Sequence, residues 1–125
     1  MKILLADDDS KIHLIMRVWL GKNAHEVTTV TNGREALALL QAGRFDGLIA
    51  DVNMPLLNGK ELMRQVLTLA DPPGMIILLT SRCDTDRIRA EIASDRVHIY
   101  NKPFSPRALS ELIEKLGRHE EILHE

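Results

Sequence analysis

The sequence predicts an α/β fold, a doubly wound five-stranded parallel sheet that is covered by helices on both faces. Short apolar runs alternate with segments of helical spacing along the chain, and this order is typical of such sheets. The apolar runs are continuous rather than alternating, which indicates strands that are buried on both faces. Polar residues follow several of these runs, at the edge of the sheet where this architecture binds ligands.

The predicted strands and helices alternate strictly. Apolar or β-branched runs predict strands at residues 3–6, 25–30, 46–50, 75–80 and 97–100. Helical spacing of apolar residues predicts helices at residues 12–21, 34–43, 59–70, 85–93 and 105–125. Because crossovers between parallel strands are right-handed, each turn from a strand to its helix is expected at the same edge of the sheet.

The first and last helices carry the clearest apolar stripes. The stripe predicted for the first helix consists of Ile12, Ile15, Met16 and Trp19, and that of the last helix consists of Leu109, Leu112, Ile113 and Leu116. Ser105 fits the N-cap of the last helix and Pro106 its first position. This helix either ends at Gly117 or, since Leu123 follows Leu116 by seven residues, continues towards a second module.

Composition bounds the class of protein. The chain has 125 residues, 45% of them hydrophobic and 27% charged, which fits one globular domain. The formal net charge of −2 gives no general attraction to nucleic acid or to anionic lipid. A single cysteine, Cys83, excludes an internal disulfide. Neither a signal peptide nor a membrane-spanning run is recognisable, so we expect a cytoplasmic protein without a membrane partner.

Charged and hydroxyl side chains follow four of the predicted strands. Asp7, Asp8 and Asp9 follow the first strand, Asp51 the third, Thr80 ends the fourth and Lys102 follows the fifth. Two carboxylates about 4 Å apart repel by about 4 kcal/mol at an effective dielectric of about 20. A hard divalent cation would offset this repulsion, and Mg²⁺ takes one or two carboxylates while also binding phosphate; Mn²⁺ would suit the same ligands.

Taken together, these groups suit phosphoryl transfer to a carboxylate. The cation and Lys102 neutralise charge, Thr80 donates a hydrogen bond, and Asp51 is the nucleophile that forms an acyl phosphate. Each residue alone has an ordinary explanation: an aspartate before a helix is often an N-cap, and a lone lysine is usually solvated. The joint arrangement carries the hypothesis.

The motifs "ILLADDDS", "LIADVNMPLLNG", "IILLTS" and "NKPF" resemble the receiver domain of bacterial two-component response regulators. The resemblance covers essentially all 125 residues as one receiver domain. It implies a flavodoxin-like sheet with the strand order 2-1-3-4-5. It also implies a switch domain rather than an enzyme of metabolism, one that assists its own phosphorylation and dephosphorylation.

The resemblance further implies a role for each site residue. Asp51 matches the phosphorylated aspartate, Thr80 the switch hydroxyl, and Lys102 the lysine that pairs with the phosphoryl group, followed by a cis peptide bond to Pro103. The implied Mg²⁺ ligands are Asp7 (through water), Asp8, Asp51 and the backbone carbonyl of Asn53. Asp9 matches an acid that is not a ligand.

The implied phosphodonor is a sensor histidine kinase or a histidine phosphotransfer domain. An output domain, a target protein or a homodimer of the phosphorylated form are the partners that the family allows. Leu14 and Val18 share a face of the first helix. They either widen its core stripe or form a docking patch for a phosphohistidine-bearing helix.

Two departures from the family are visible. The position three before Lys102, usually aromatic, is Ile99, and Tyr100 should face the other side of the strand. The small pair that usually precedes the fifth strand is absent. Arg82 and Asn53 flank the site, and we expect them to tune the lifetime of the phosphoryl group.

Three other classes of protein remain to be weighed. An aspartyl-phosphate phosphatase needs a second acid two residues after its nucleophile, where this chain has Asn53. A flavodoxin needs a phosphate-binding loop after the first strand, where three aspartates would repel phosphate. A receiver-like binding module that is never phosphorylated stays open because of the unusual region around Ile99.

Overall fold

The structure, a computed structural model, describes residues 1–92 and 94–124, without the side chains of Arg82 and of residues 118–124. The strands are β1 (Lys2–Ala6), β2 (Glu26–Val30), β3 (Gly47–Asp51), β4 (Met75–Ser81) and β5 (Val97–Lys102). The helices are α1 (Ser10–Gly21), α2 (Gly33–Ala42), α3 (Gly59–Val66), α4 (Thr85–Ile92) and α5 (Pro106–His124), and a 3₁₀ turn (Arg82–Asp84) precedes α4. The strands pair in parallel in the order β2-β1-β3-β4-β5. The predicted fold and strand order are therefore confirmed.

Each face of the sheet packs against its own helices, because side chains alternate along every strand. One face packs against α2, α3 and α4 through residues such as Leu4, Leu48 and Leu78. The opposite face packs against α1 and α5 through residues such as Leu5 and Ile49. All five residues of β3 are buried, so the prediction of strands covered on both faces is confirmed.

Side-chain caps set the beginnings of four helices. The capping oxygens belong to Asp9 for α1, Asn32 for α2, Asn58 for α3 and Ser105 for α5. Each accepts a hydrogen bond from a backbone N–H in the first turn, an interaction worth about 1 kcal/mol. The predicted start of the last helix at Ser105 and Pro106 is confirmed.

The buried stripe of α1 is narrower than predicted. Met16 and Leu20 are fully buried and Ile12 is half-buried, so the line of residues four apart faces the sheet and α5. Ile15 was predicted in the core but is 40% exposed, because it lies a quarter turn away from that line. Trp19 is half-buried at the margin.

Leu14 and Val18 do not widen the core. Their exposed fractions are 68% and 54%, because both lie on the side of α1 that faces away from the sheet. The core-stripe interpretation of this pair is therefore wrong, and the pair forms an exposed apolar face.

Two predicted helix ends are revised. The third helix was expected to reach Ala70 but ends at Val66, because the N–H groups of Thr68 and Leu69 bond three residues back, in turns. Of the two alternatives for the last helix, the end at Gly117 is wrong, since α5 continues to His124. The predicted end of the fourth helix at Ala93 and the side chain of Leu123 fall outside the described residues. Within the described ranges, every helix is too short or too polar to cross a lipid bilayer.

Candidate functional site

Three carboxylates meet at the carboxyl edge of the sheet. Asp7 and Asp8 follow β1, and Asp51 ends β3, the strand that pairs with β1. One oxygen from each of the three lies within 4.8 Å of the others. Asp7 is fully buried and Asp8 is exposed, so the cluster opens to solvent on the side of Asp8.

Lys102 bridges two of these carboxylates. Its Nζ lies 3.1 Å from Asp7 Oδ2 and 3.3 Å from Asp51 Oδ2. Lys102 reaches them because it ends β5, and β4 alone separates β5 from β3 in the sheet. Among the described side chains, the ammonium of Lys102 is set against a cluster of three carboxylates, and this excess of negative charge favours a divalent cation.

The ionisation of the cluster reflects this imbalance. Burial raises the pKa of the Asp51 carboxyl above its ordinary value and the charge of Asp7 adds to the rise, against the opposing effects of Lys102 and the Asn53 N–H. Burial alone would lower the pKa of Lys102, but the charges of Asp51 and Asp7 outweigh it and raise that pKa. Because burial disfavours the charged form of Asp51, a cation bound beside this carboxylate would stabilise it.

Thr80 and Asn53 lie beside the cluster. Thr80 is 3% exposed near the carboxyl end of β4, the strand between β3 and β5. Asn53 lies in the loop after β3 with an exposed side chain, and its backbone N–H lowers the pKa of the Asp51 carboxyl. All the residues predicted for the site thus lie at one edge of the sheet.

The loop after β3 fits tightly under the site. A Cβ on Gly59 would lie 2.3 Å from the carbonyl oxygen of Asp51, so only glycine allows α3 to begin this close to the strand. Leu56, in the same loop, has a φ of 69° and is 67% exposed. Non-glycine residues rarely adopt this left-handed conformation.

Asp7 and Asp9 are fixed by contacts that the sequence did not reveal. The imidazole Nε2 of His13 lies 2.6 Å from the backbone carbonyl of Asp7, and the N–H of Asp9 donates to Asp7 Oδ1 at 2.9 Å. Asp9 itself accepts from the N–H of Lys11. No sequence signal links His13 to the acids.

Ile99 and Tyr100 face opposite sides of β5, as predicted. Ile99 packs with the core of α2, α3 and α4. Tyr100 packs on the side of α1 and α5, where its ring stacks on Phe104 with centroids 6.3 Å apart. Tyr100 therefore does not take the place of the usual aromatic residue.

A doubly wound sheet with acids, a hydroxyl and a lysine at its carboxyl edge defines a receiver-type domain. Residues 3–114 match the family model of the response regulator receiver domain. The chain belongs to this family, which serves two-component signalling as a phosphoacceptor domain.

Two curated relatives and one solved structure place the chain more closely. It is 36% identical to the probable transcriptional regulator ycf27 of Cyanophora paradoxa over 96% of this chain and 49% of that protein. It is 32% identical to the response regulator MprA of Mycolicibacterium vanbaalenii over 93% of this chain and 48% of that protein. The chain thus spans about half the length of these relatives.

The chemotaxis response regulator CheY4 of Vibrio cholerae has a similar structure, with a TM-score of 0.78 and 30% identity. The match covers 92% of this chain and 97% of that one. The likeness thus extends over the whole of a single receiver domain.

Proposed function

We propose that Asp51 accepts a phosphoryl group and that the modification switches the conformation of the domain. The observation that carries this proposal is the clustering of the Asp51 carboxylate with Asp7, Asp8 and Lys102 at one sheet edge. Asp51 ends a fully buried strand, so the fold aims its carboxylate rigidly at its neighbours. Rigid placement of a nucleophile is what phosphoryl transfer requires from a protein.

In the proposed reaction a carboxylate oxygen of Asp51 attacks the phosphorus of a phosphohistidine. A P–O bond to Asp51 forms while the P–N bond breaks, and the leaving imidazole takes up a proton. Water later attacks the acyl phosphate, which returns the Asp51 carboxylate and releases inorganic phosphate. The domain assists both steps but acts as a switch, not as an enzyme that turns over a metabolite.

Asp7, Asp8 and Asp51, with the backbone carbonyl of Asn53, would hold Mg²⁺, or Mn²⁺ in its place. The residues fit such an ion because, among the described side chains, three carboxylates cluster around the ammonium of Lys102 and burial raises the pKa of Asp51. The ion supplies neutralisation of the negative charge that gathers during transfer. In the apo protein Lys102 supplies part of that neutralisation.

Thr80 and Lys102 are the proposed ligands of the phosphoryl oxygens. The modification adds negative charge and strong acceptors beside Asp51. A loop arrangement that lets the Thr80 hydroxyl reach these acceptors binds them better, so phosphorylation shifts the equilibrium towards it. Asn53 is proposed to tune phosphoryl lifetime with Arg82, whose side chain falls outside the described residues.

The exposed apolar face of α1 is the proposed docking surface for the phosphodonor, a histidine-bearing helix of a kinase or phosphotransfer domain. Leu14 and Val18 lie on it. A groove of about 380 Å³ between α1 and the loop after β5 includes both Ile15 and Lys102 in its lining. The apolar surface therefore continues to the edge of the acidic cluster, where the donor histidine must arrive.

Signalling beyond the domain is proposed from the family. The relatives are about twice as long as this chain, and two are named regulators, so we propose that α5 leads towards an output module or that the domain acts on a target protein. The switching surface is formed by α4, β5 and α5, which is also where phosphorylated chains would pair. The family's signalling role supports a cytoplasmic setting.

A receiver-like module that is never phosphorylated is the second candidate, favoured by Ile99 at the usual aromatic position. One experiment separates the two. The protein is incubated with acetyl phosphate and Mg²⁺, and its intact mass is followed. We expect a gain of one phosphoryl group in the wild type and in Asp71→Asn, which changes an exposed loop acid, but not in Asp51→Asn. A wild type that gains no phosphoryl mass would leave the binding module as the better account.

A further inference from the structure

A chain of hydrogen bonds connects β5, α4 and the end of β4. The side-chain Nδ2 of Asn101 donates to Thr85 Oγ1, at the first residue of α4. Thr85 Oγ1 in turn donates to the backbone carbonyl of Ser81 at 3.2 Å. Ser81 directly follows Thr80, which lies opposite Asn101 in the sheet register.

The direction of this chain is fixed by the available hydrogens. The Thr85 hydroxyl has one hydrogen, and it is donated to Ser81, so Thr85 can only accept from Asn101. Asn101 shares a strand face with Ile99, the face that packs towards α4 and is otherwise apolar. A part-buried amide on such a face is stable because it is hydrogen-bonded.

The helix that receives this bond has few apolar anchors. Ile88 is the one buried residue of α4, and Ile92 is half-buried. Because few apolar side chains anchor α4, the polar contact at its first residue has more influence on where the helix begins. The hydrogen bond from Asn101 to Thr85 therefore helps to set the conformation of the loop between β4 and α4.

We propose that Asn101 is a positioning residue that restrains the Thr80–Ser81 segment through Thr85. The inference rests on the proposed function, because it concerns how easily Thr80 moves towards a phosphorylated Asp51. If Thr80 moves, the carbonyl of the adjoining Ser81 moves with it. The Thr85 hydroxyl stays behind, because Asn101 of β5 is hydrogen-bonded to it, so the bond from Thr85 to Ser81 breaks. The bonds thus oppose the switched arrangement, and their removal favours it.

Three variants and one control test this inference. Asn101→Leu removes the amide at similar size, Thr85→Val removes the hydroxyl at similar shape, and the double variant combines them. Thr68→Val is the matched control, because Thr68 also donates its hydroxyl to a backbone carbonyl, that of Gln65 at 2.7 Å, at the end of α3. Two quantities are measured: amide hydrogen exchange in α4 without phosphodonor, and the rate of phosphoryl gain from acetyl phosphate with Mg²⁺.

In both single variants we expect amide hydrogen exchange in α4 and phosphoryl gain to be faster by about two- to tenfold. This range corresponds to the free energy of one neutral hydrogen bond. The double variant should resemble either single one, because both changes break the same chain. Thr68→Val should match the wild type. General loosening of the fold would speed exchange but would not speed phosphorylation.

The outcomes separate this inference from the proposed function. If the wild type gains phosphoryl and the variants gain it at the same rate or more slowly, the inference is overturned and the proposed function stands. Unchanged exchange in α4 also overturns it. If the wild type gains none, both are overturned.

Discussion

Lys102 is the residue that balances charge at the acidic edge. It lies within 3.3 Å of both Asp7 and Asp51, and its own side chain is 29% exposed. Asp7 is fully buried, and among the side chains that the structure describes Lys102 is the cation in contact with it. A buried charge that loses its partner destabilises a fold strongly.

Replacing Lys102 with methionine tests this balance. We expect Lys102→Met to lower the free energy of unfolding by about 2 kcal/mol in metal-free buffer, measured by chemical denaturation. Adding Mg²⁺ should restore part of the loss, because binding to the folded state stabilises it. Lys115→Met, which changes an exposed lysine of α5, is the control and should cost little. An equal loss in both variants would contradict the assigned role of Lys102.

Asp51 gives a dependence of stability on pH. Its pKa is raised in the folded protein, mainly by burial. A carboxyl with a raised pKa stabilises the fold at pH values below its ordinary pKa, and this contribution is lost as the pH rises through the raised value. The ionised Asp51 therefore destabilises the metal-free fold at neutral pH.

The matching variant is Asp51→Asn, which removes the charge at constant shape. We expect it to unfold at higher denaturant concentration than the wild type near about pH 7, by about 1 kcal/mol, and to show a smaller difference near about pH 4. Saturating Mg²⁺ should reduce the difference at neutral pH by stabilising the wild type. If the variant is less stable than the wild type at neutral pH, the ion pair with Lys102 stabilises the fold by more than burial of the Asp51 charge destabilises it.

At the scale of elements, the approach of α3 to β3 depends on Gly59. A Cβ there would lie 2.3 Å from the Asp51 carbonyl oxygen and 2.8 Å from Val52 Cα. We expect Gly59→Ala to lower the free energy of unfolding by about 1–3 kcal/mol and to slow phosphoryl gain by displacing Asp51. Gly21→Ala, at the end of α1 where nothing lies within 4 Å of the added carbon, should be neutral or slightly stabilising. Equal effects of the two changes would contradict the close approach.

The exposed face of α1 makes a second prediction at this scale. We expect Leu14→Glu and Val18→Glu to leave phosphorylation by acetyl phosphate unchanged, because both side chains are exposed and pack against no part of the core that the structure describes. The same changes should slow transfer from a cognate phosphohistidine donor by at least about tenfold, the scale of one lost interface anchor. Lys11→Glu, also exposed on α1, controls for added charge. Unchanged transfer from the donor would contradict docking on this face.

The sequence predicted well those features of a helix or strand that depend on residues close together in the chain, and it predicted poorly those that depend on tertiary packing. The continuous strands and the cap at Ser105 were predictable because they depend on neighbouring residues. The buried side of α1 was not, since apolar residues cover more of its circumference than the core does, and the sequence cannot say which of them the sheet meets. Ile15 was misplaced for this reason.

At the scale of the molecule, the candidate site was predictable because parallel topology brings strand ends together whatever their separation in sequence. Asp51 and Lys102 are 51 residues apart in the sequence, yet Asp51 Oδ2 and Lys102 Nζ lie 3.3 Å apart. Three contacts were not predicted. They are the sharing of Lys102 between two carboxylates, the contact of His13 with Asp7, and the hydrogen bond from Asn101 to Thr85. These depend on side-chain positions that follow only from packing of the whole domain.

We propose, above all, that this edge of the sheet makes Asp51 a metal-assisted phosphoacceptor. Borohydride reduction of the protein after acetyl phosphate treatment tests it most directly, because an aspartyl acyl phosphate is reduced to homoserine. We predict homoserine at position 51 when donor and Mg²⁺ are both present, and aspartate there when either is left out. Homoserine at another acid, or at position 51 regardless of Mg²⁺, would contradict it.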